Sequence, residues 1–167
     1  MSRKPMPDVL VILPGIMGSV LQKDGQDRWA VSSGAVRRAI WTLGKSIKDL
    51  ALEDDSSTED LLDDGVTAPR LIEDVHLIPG FWKIDGYTKL VSEIKDRFKV
   101  TEEQNLFKFP YDWRRDNRAA AHRLARLSRT WLEAWRKESG NQSAKLILIA
   151  HSMGGIISRY FLEVLEG

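Results

Sequence analysis

The stretch Lys145–Gly155, "KLILIAHSMGG", constrains this chain more than any other. Lys145–Ala150 is apolar on successive positions, as in a strand buried on both faces. From Ile156 the apolar residues Ile156, Ile157, Tyr160, Phe161, Val164 and Leu165 recur at helical spacing. Strand must therefore become helix within a few residues, around His151-Ser152-Met153-Gly154. Small residues at 150 and 154 allow the two elements to pack closely around a strained serine.

Other segments repeat the strand–helix alternation. "VLVIL" (Val9–Leu13) is a second fully apolar run, ended by Pro14-Gly15. "NLFKFP" (Asn105–Pro110) alternates and fits a strand nearer a sheet edge. Between Asp116 and Glu138, the residues Ala120, Leu124, Leu127, Trp131 and Trp135 form one helical stripe, and "SGNQS" (Ser139–Ser143) ends it. Asp85 is placed to cap a helix reaching about Phe98, with Tyr87, Leu90, Val91, Ile94 and Phe98 on its buried side. Strands joined by long helices predict parallel pairing and an α/β layered sheet. Residues 49–70, acidic and holding Gly65 and Pro69, are expected to be a long surface loop or insertion.

Composition narrows the function. A net charge of +1 argues against a dedicated nucleic-acid binder. The absence of cysteine excludes disulfides and thiolate metal sites, and three scattered histidines form no recognisable metal motif. No cofactor is expected. The first apolar run is too short for a signal peptide, and no stretch approaches the about 18 apolar residues of a membrane span, so a cytoplasmic protein is expected. Residues 49–64 carry eight acids and no base, whereas Arg114–Lys137 is rich in arginine. Solvated surfaces explain both; an anionic lipid surface meeting the arginines is the alternative, with at most peripheral membrane contact.

Ala150-His151-Ser152-Met153-Gly154 is a nucleophile-elbow pattern, with alanine at a position where glycine is commonest. At such a turn Ser152 is lifted toward the C-terminal end of its strand, and the Met153 N–H can donate to an oxyanion. His151, its neighbour, points elsewhere and is expected to pack or hydrogen-bond beneath the turn. In "LPGIMGS" (Leu13–Ser19), Gly15 and Gly18 permit backbone conformations other residues resist, so this loop can offer a second donor from Ile16. "FPYDWRR" (Phe109–Arg115) predicts a rigid corner held by Asp112 and Arg114. "HLIPGFWKIDGY" (His76–Tyr87) has the same aromatic character and suits either an acyl site or core packing.

Four motifs in order, Pro14-Gly15-Ile16-Met17-Gly18-Ser19, Pro79-Gly80-Phe81, Pro110-Tyr111-Asp112-Trp113-Arg114 and Ala150–Gly154, resemble the lecithin:cholesterol acyltransferase family, which includes lysosomal phospholipase A2 and phospholipid:diacylglycerol acyltransferases. The resemblance implies an α/β-hydrolase fold: a mostly parallel sheet with helices on both faces, here incomplete at its C-terminal side. Residues 1–167 would form the N-terminal part of one such domain, with a lid-like insertion at about 22–70. It implies lipid O-acyltransferase or lipase/esterase activity through an acyl-serine on Ser152, with oxyanion donors at the Ile16 and Met153 amides and a lipid or other acyl ester as substrate.

In α/β-hydrolases an acid and then a histidine follow the serine. After Ser152 this chain offers only Glu163 and Glu166 and no histidine; His76 and His122 precede it. Serine without a base is a weak nucleophile. The expectation is therefore a fragment completed by a C-terminal segment or a second chain, with a sheet left open at the serine strand. A non-catalytic hydrolase-like module that binds a partner chain or lipid remains the alternative.

Overall fold

The computed structural model describes residues 2–30, 64–72 and 87–166. In chain order the elements are β1 (Lys4–Pro5), β2 (Val9–Leu13), β3 (Ser19–Lys23), β4 (Gln26–Trp29), β5 (Val66–Leu71), α1 (Tyr87–Arg97), β6 (Phe98–Lys99), β7 (Leu106–Lys108), α2 (Asn117–Ser139), β8 (Leu146–Ala150), α3 (Met153–Tyr160) and a π-helical turn (Phe161–Leu165).

A parallel sheet in the order β7-β2-β8 organises the chain. Its central strand, β2, is almost wholly removed from solvent and divides two cores by the alternation of its side chains. Val9, Val11 and Leu13 face Ala120, Ala121, Leu124 and Ala125 of α2, together with Ile157 and Phe161. Leu10 and Ile12 face Tyr87, Val91 and Ile94 of α1. The described residues thus form a mixed α/β structure with helices against both faces of a parallel sheet.

The stripe expected on α2 is present: Ala120 and Leu124 are buried, and Leu127, Trp131 and Trp135 pack against the same cluster. Trp131 stacks on Phe107 of β7 at 4.3 Å between ring centroids. Asp116 caps the helix by accepting from the Arg118 N–H at 2.8 Å, and Gly140 ends it in the left-handed conformation. The cap expected at Asp85 lies outside the described residues.

Two expectations need correction. β8 is not buried on both faces: its residues are half-buried or exposed, with Ile147 at 37%. Among the described residues nothing pairs with its outer edge, so apolar runs of equal hydrophobicity end with different burial in the centre and at the edge of the sheet. Among the described residues β7, as anticipated, occupies the opposite edge.

Residues 49–70 are not loop throughout, because Val66–Leu71 is a strand. With β3 and β4 it forms a separate antiparallel sheet, order β4-β3-β5. Among the described residues β5 is an edge strand, and its register with β3 shifts between Val20 and Gln22, beside Pro69, two settings in which a strand tolerates proline. The β3–β4 hairpin turns on Asp24-Gly25, both at positive φ (55° and 71°), as a two-residue turn of the favoured hand requires. The proposed insertion at 22–70 therefore begins and ends in strands; its interior, residues 31–63, lies outside the described residues.

Candidate active site around Ser152

Ser152 stands where β8 gives way to α3, with φ 52° and ψ −119°. A residue with a Cβ occupies that region only at a cost of about 1–3 kcal/mol, held by its surroundings. The surroundings are tight. The His151 N–H donates to the Leu13 carbonyl at 3.1 Å, and the Gly154 and Gly155 amides donate to the His151 and Ser152 carbonyls. The Ser152 side chain makes no capping bond to α3 and is exposed. Its hydroxyl is thus left to face solvent at the C-terminal end of the sheet.

Close approach, more than flexibility, explains the glycines. A Cβ on Gly154 would lie 2.6 Å from the Pro14 carbonyl oxygen and 2.9 Å from Leu13 Cβ. A Cβ on Gly15 would lie 2.9 Å from His151 Nδ1 and 3.2 Å from Ser152 Cβ. The loop after β2 therefore lies flush against the serine turn. The expectation that Gly15 and Gly18 supply unusual backbone angles is not met: the left-handed residue of this loop is Met17, at φ 62°. Gly18 is small for packing, since a Cβ there would approach Pro14 Cβ to 2.6 Å.

Ile16, the residue assigned one oxyanion donor, is 56% exposed on this loop, and Met153, assigned the other, is the first residue of α3. Two tyrosines brace the loop from behind. The Tyr111 hydroxyl donates to the Pro14 carbonyl at 2.8 Å, and the Gly15 N–H donates to the Tyr87 hydroxyl oxygen at 2.8 Å. Burial raises the pKa of both phenols, at Tyr87 against a smaller lowering by the Gly15 bond, so both stay protonated. His151 Nδ1 lies 3.3 Å from the Tyr87 hydroxyl oxygen, so the histidine finds a hydrogen-bonding neighbour as expected, but the residue is exposed and is not packed beneath the turn. The tyrosines were legible only as a stripe residue and a corner residue.

The corner at 109–115 is rigid as expected. Arg114, only 5% exposed in its side chain, donates to Asp112 from Nε at 2.8 Å and to Asp64 from Nη2 at 2.9 Å. Burial disfavours its charge, but the hydrogen bonds to the two carboxylates outweigh this and raise its pKa. The Tyr111 N–H donates to Ser19 Oγ, and the Trp113 indole donates to the Ser19 carbonyl. Trp113 also meets Trp29 edge to face at 5.5 Å. This corner couples β7 to the loop after β2.

The arginines of 114–137 are used largely within the fold. Arg123 donates to the Pro110 carbonyl and lies over the Phe109 ring, Arg136 donates to the Ala144 carbonyl, and Arg129 pairs with Glu166. Glu163, the other acid after the serine, pairs with Arg159 on the surface of α3 and its continuation. His122 is half-buried with its ring against Tyr160. His76, Pro79-Gly80-Phe81 and all of His76–Tyr87 except Tyr87 lie outside the described residues.

Comparison with curated proteins and with solved structures gives no match. The family model for lecithin:cholesterol acyltransferase matches residues 81–167, which take in both the 110–114 corner and the serine turn but not the loop at 14–19. That segment is just over half of the chain. The chain belongs to the lecithin:cholesterol acyltransferase family, one of lipid acyltransferase and lipase-type function.

Proposed function

We propose that this chain carries the nucleophile of a lipid acyltransferase or lipase built on an α/β-hydrolase fold. The observation that supports it most is the backbone of Ser152, held at positive φ between a parallel strand and a helix, with its side chain free of the helix cap. In this reading Ser152 Oγ attacks the carbonyl carbon of a lipid ester. Its proton passes to a base and then to the departing alkoxide as the ester C–O bond breaks. Negative charge developing on the carbonyl oxygen is met by the Ile16 and Met153 amides. Water or another alcohol then attacks the acyl-serine, releasing a free acid or a new ester.

Among the described residues, Glu163 and Glu166 are engaged by Arg159 and Arg129, and His122 lies against Tyr160, so the base and its acid partner are assigned to none of these three. The outer edge of β8, unpaired among the described residues, and the exposed Ile156, Leu162 and Val164 together offer an apolar surface.

Vesicles of labelled phosphatidylcholine with a long-chain alcohol test the reading. The protein from its own cells should release fatty acid or form a new ester, and Ser152→Ala should abolish both. Activity that survives Ser152→Ala would exclude the serine mechanism, while a tight vesicle complex without turnover would favour a lipid-binding module.

A further inference from the structure

Pro14 and Gly15 share one peptide unit, and both of its polar ends are held by tyrosine hydroxyls. Tyr111 donates to its carbonyl at 2.8 Å; its N–H donates to Tyr87 at 2.8 Å. The two tyrosines come from separate places, one at the start of α1 and one in the corner after β7, 72 and 97 residues from their partners in sequence. Both are buried, at 7% and 2% exposure. A peptide plane gripped at both ends cannot rotate without breaking one bond. The next amide along is that of Ile16.

Tyr87 does more than brace a loop. Because its oxygen accepts from Gly15, its own hydrogen is available to His151 Nδ1, 3.3 Å away. One hydroxyl thus joins the loop after β2 to the residue preceding Ser152. The Pro14 carbonyl, held by Tyr111, is also the atom against which Gly154 packs.

We propose that Tyr87 and Tyr111 are positioning residues that fix the Pro14–Gly15 peptide, so that the Ile16 amide faces the oxygen on which charge develops in front of Ser152. This rests on the serine mechanism proposed above. A ring alone suffices to fill the core; the hydroxyls are needed to orient the peptide.

The test uses Tyr87→Phe and Tyr111→Phe, each expressed from the protein's own locus and treated with a fluorophosphonate. Phosphonylation builds negative charge on the phosphoryl oxygen, as ester attack does on the carbonyl oxygen. The maximal labelling rate should fall about 10- to 100-fold, with half-saturating reagent concentration unchanged. The same substitutions in a Ser152→Cys background should leave alkylation by iodoacetamide unchanged, because that reaction forms no oxyanion. If Tyr87→Phe does not fold, Tyr111→Phe carries the test from the other end of the same peptide. Undiminished phosphonylation in the Phe variants, or an equal slowing of alkylation, overturns the positioning role while leaving the serine mechanism standing. A wild-type protein that does not react overturns both.

Discussion

Gly154 and Pro14 touch so closely that no side chain fits between them: a Cβ on Gly154 would lie 2.6 Å from the Pro14 carbonyl oxygen. Helix α3 can leave the serine turn only by passing flush over the end of β2. Gly154→Ala should destabilise the protein by about 1–3 kcal/mol, the usual range for overpacking. Gly155, one residue on, has open space around its Cα. Gly155→Ala should be neutral or stabilise by up to about 1 kcal/mol through helix propensity. Paired denaturant titrations check the contrast, and equal effects at the two sites would contradict this packing.

Arg114 provides a second test. Its guanidinium is buried and pairs with both Asp112 and Asp64. Arg114→Ala should cost about 3 kcal/mol, because removing one partner strands the others. Arg114→Lys should recover only part of this, since an ammonium cannot reproduce the planar fork. Thermal unfolding of both variants measures the difference; a loss no larger than that of a surface ion pair would contradict the assignment.

Stability in acid should report Glu102. Hydrogen bonds from Lys108 and Lys95 hold its carboxyl below the ordinary value of 4.5. The unfolded chain therefore binds its proton at higher pH than the folded one. The contribution of this cluster is full above about pH 4.5 and fades as the pH falls through the lower, folded value. All three side chains are at least 32% exposed, so the effect should be modest and should shrink in salt. Glu102→Gln should flatten this part of the stability–pH curve; an unaltered curve would refute the linkage.

How much of this was legible in the sequence varied with the range of the interaction that decides each feature. β2, α2 and the turn at Ser152 follow from local pattern, and the Asp112–Arg114 pair from adjacency. The hairpin at Asp24-Gly25 also carried its signal, a turn pair that favours positive φ, but the flanking "SVLQK" and "QDRW" lack the apolar alternation that would have marked them as strands. β5 was hidden by Pro69 and by its polar composition, since its pairing depends on β3 more than forty residues earlier. The exposure of β8 depends on which strand lies in the centre, something apolarity alone does not encode. The tyrosine contacts to Pro14 and Gly15 could not be read at all, because they join residues far apart through atoms whose separation no local pattern sets.

The most direct test of the central claim is the site of fluorophosphonate attachment in the protein purified from its own cells, mapped by peptide mass spectrometry. The serine mechanism predicts a single adduct on the peptide containing Ser152, absent from Ser152→Ala. No adduct on the wild-type protein, or one that persists in Ser152→Ala, would contradict it.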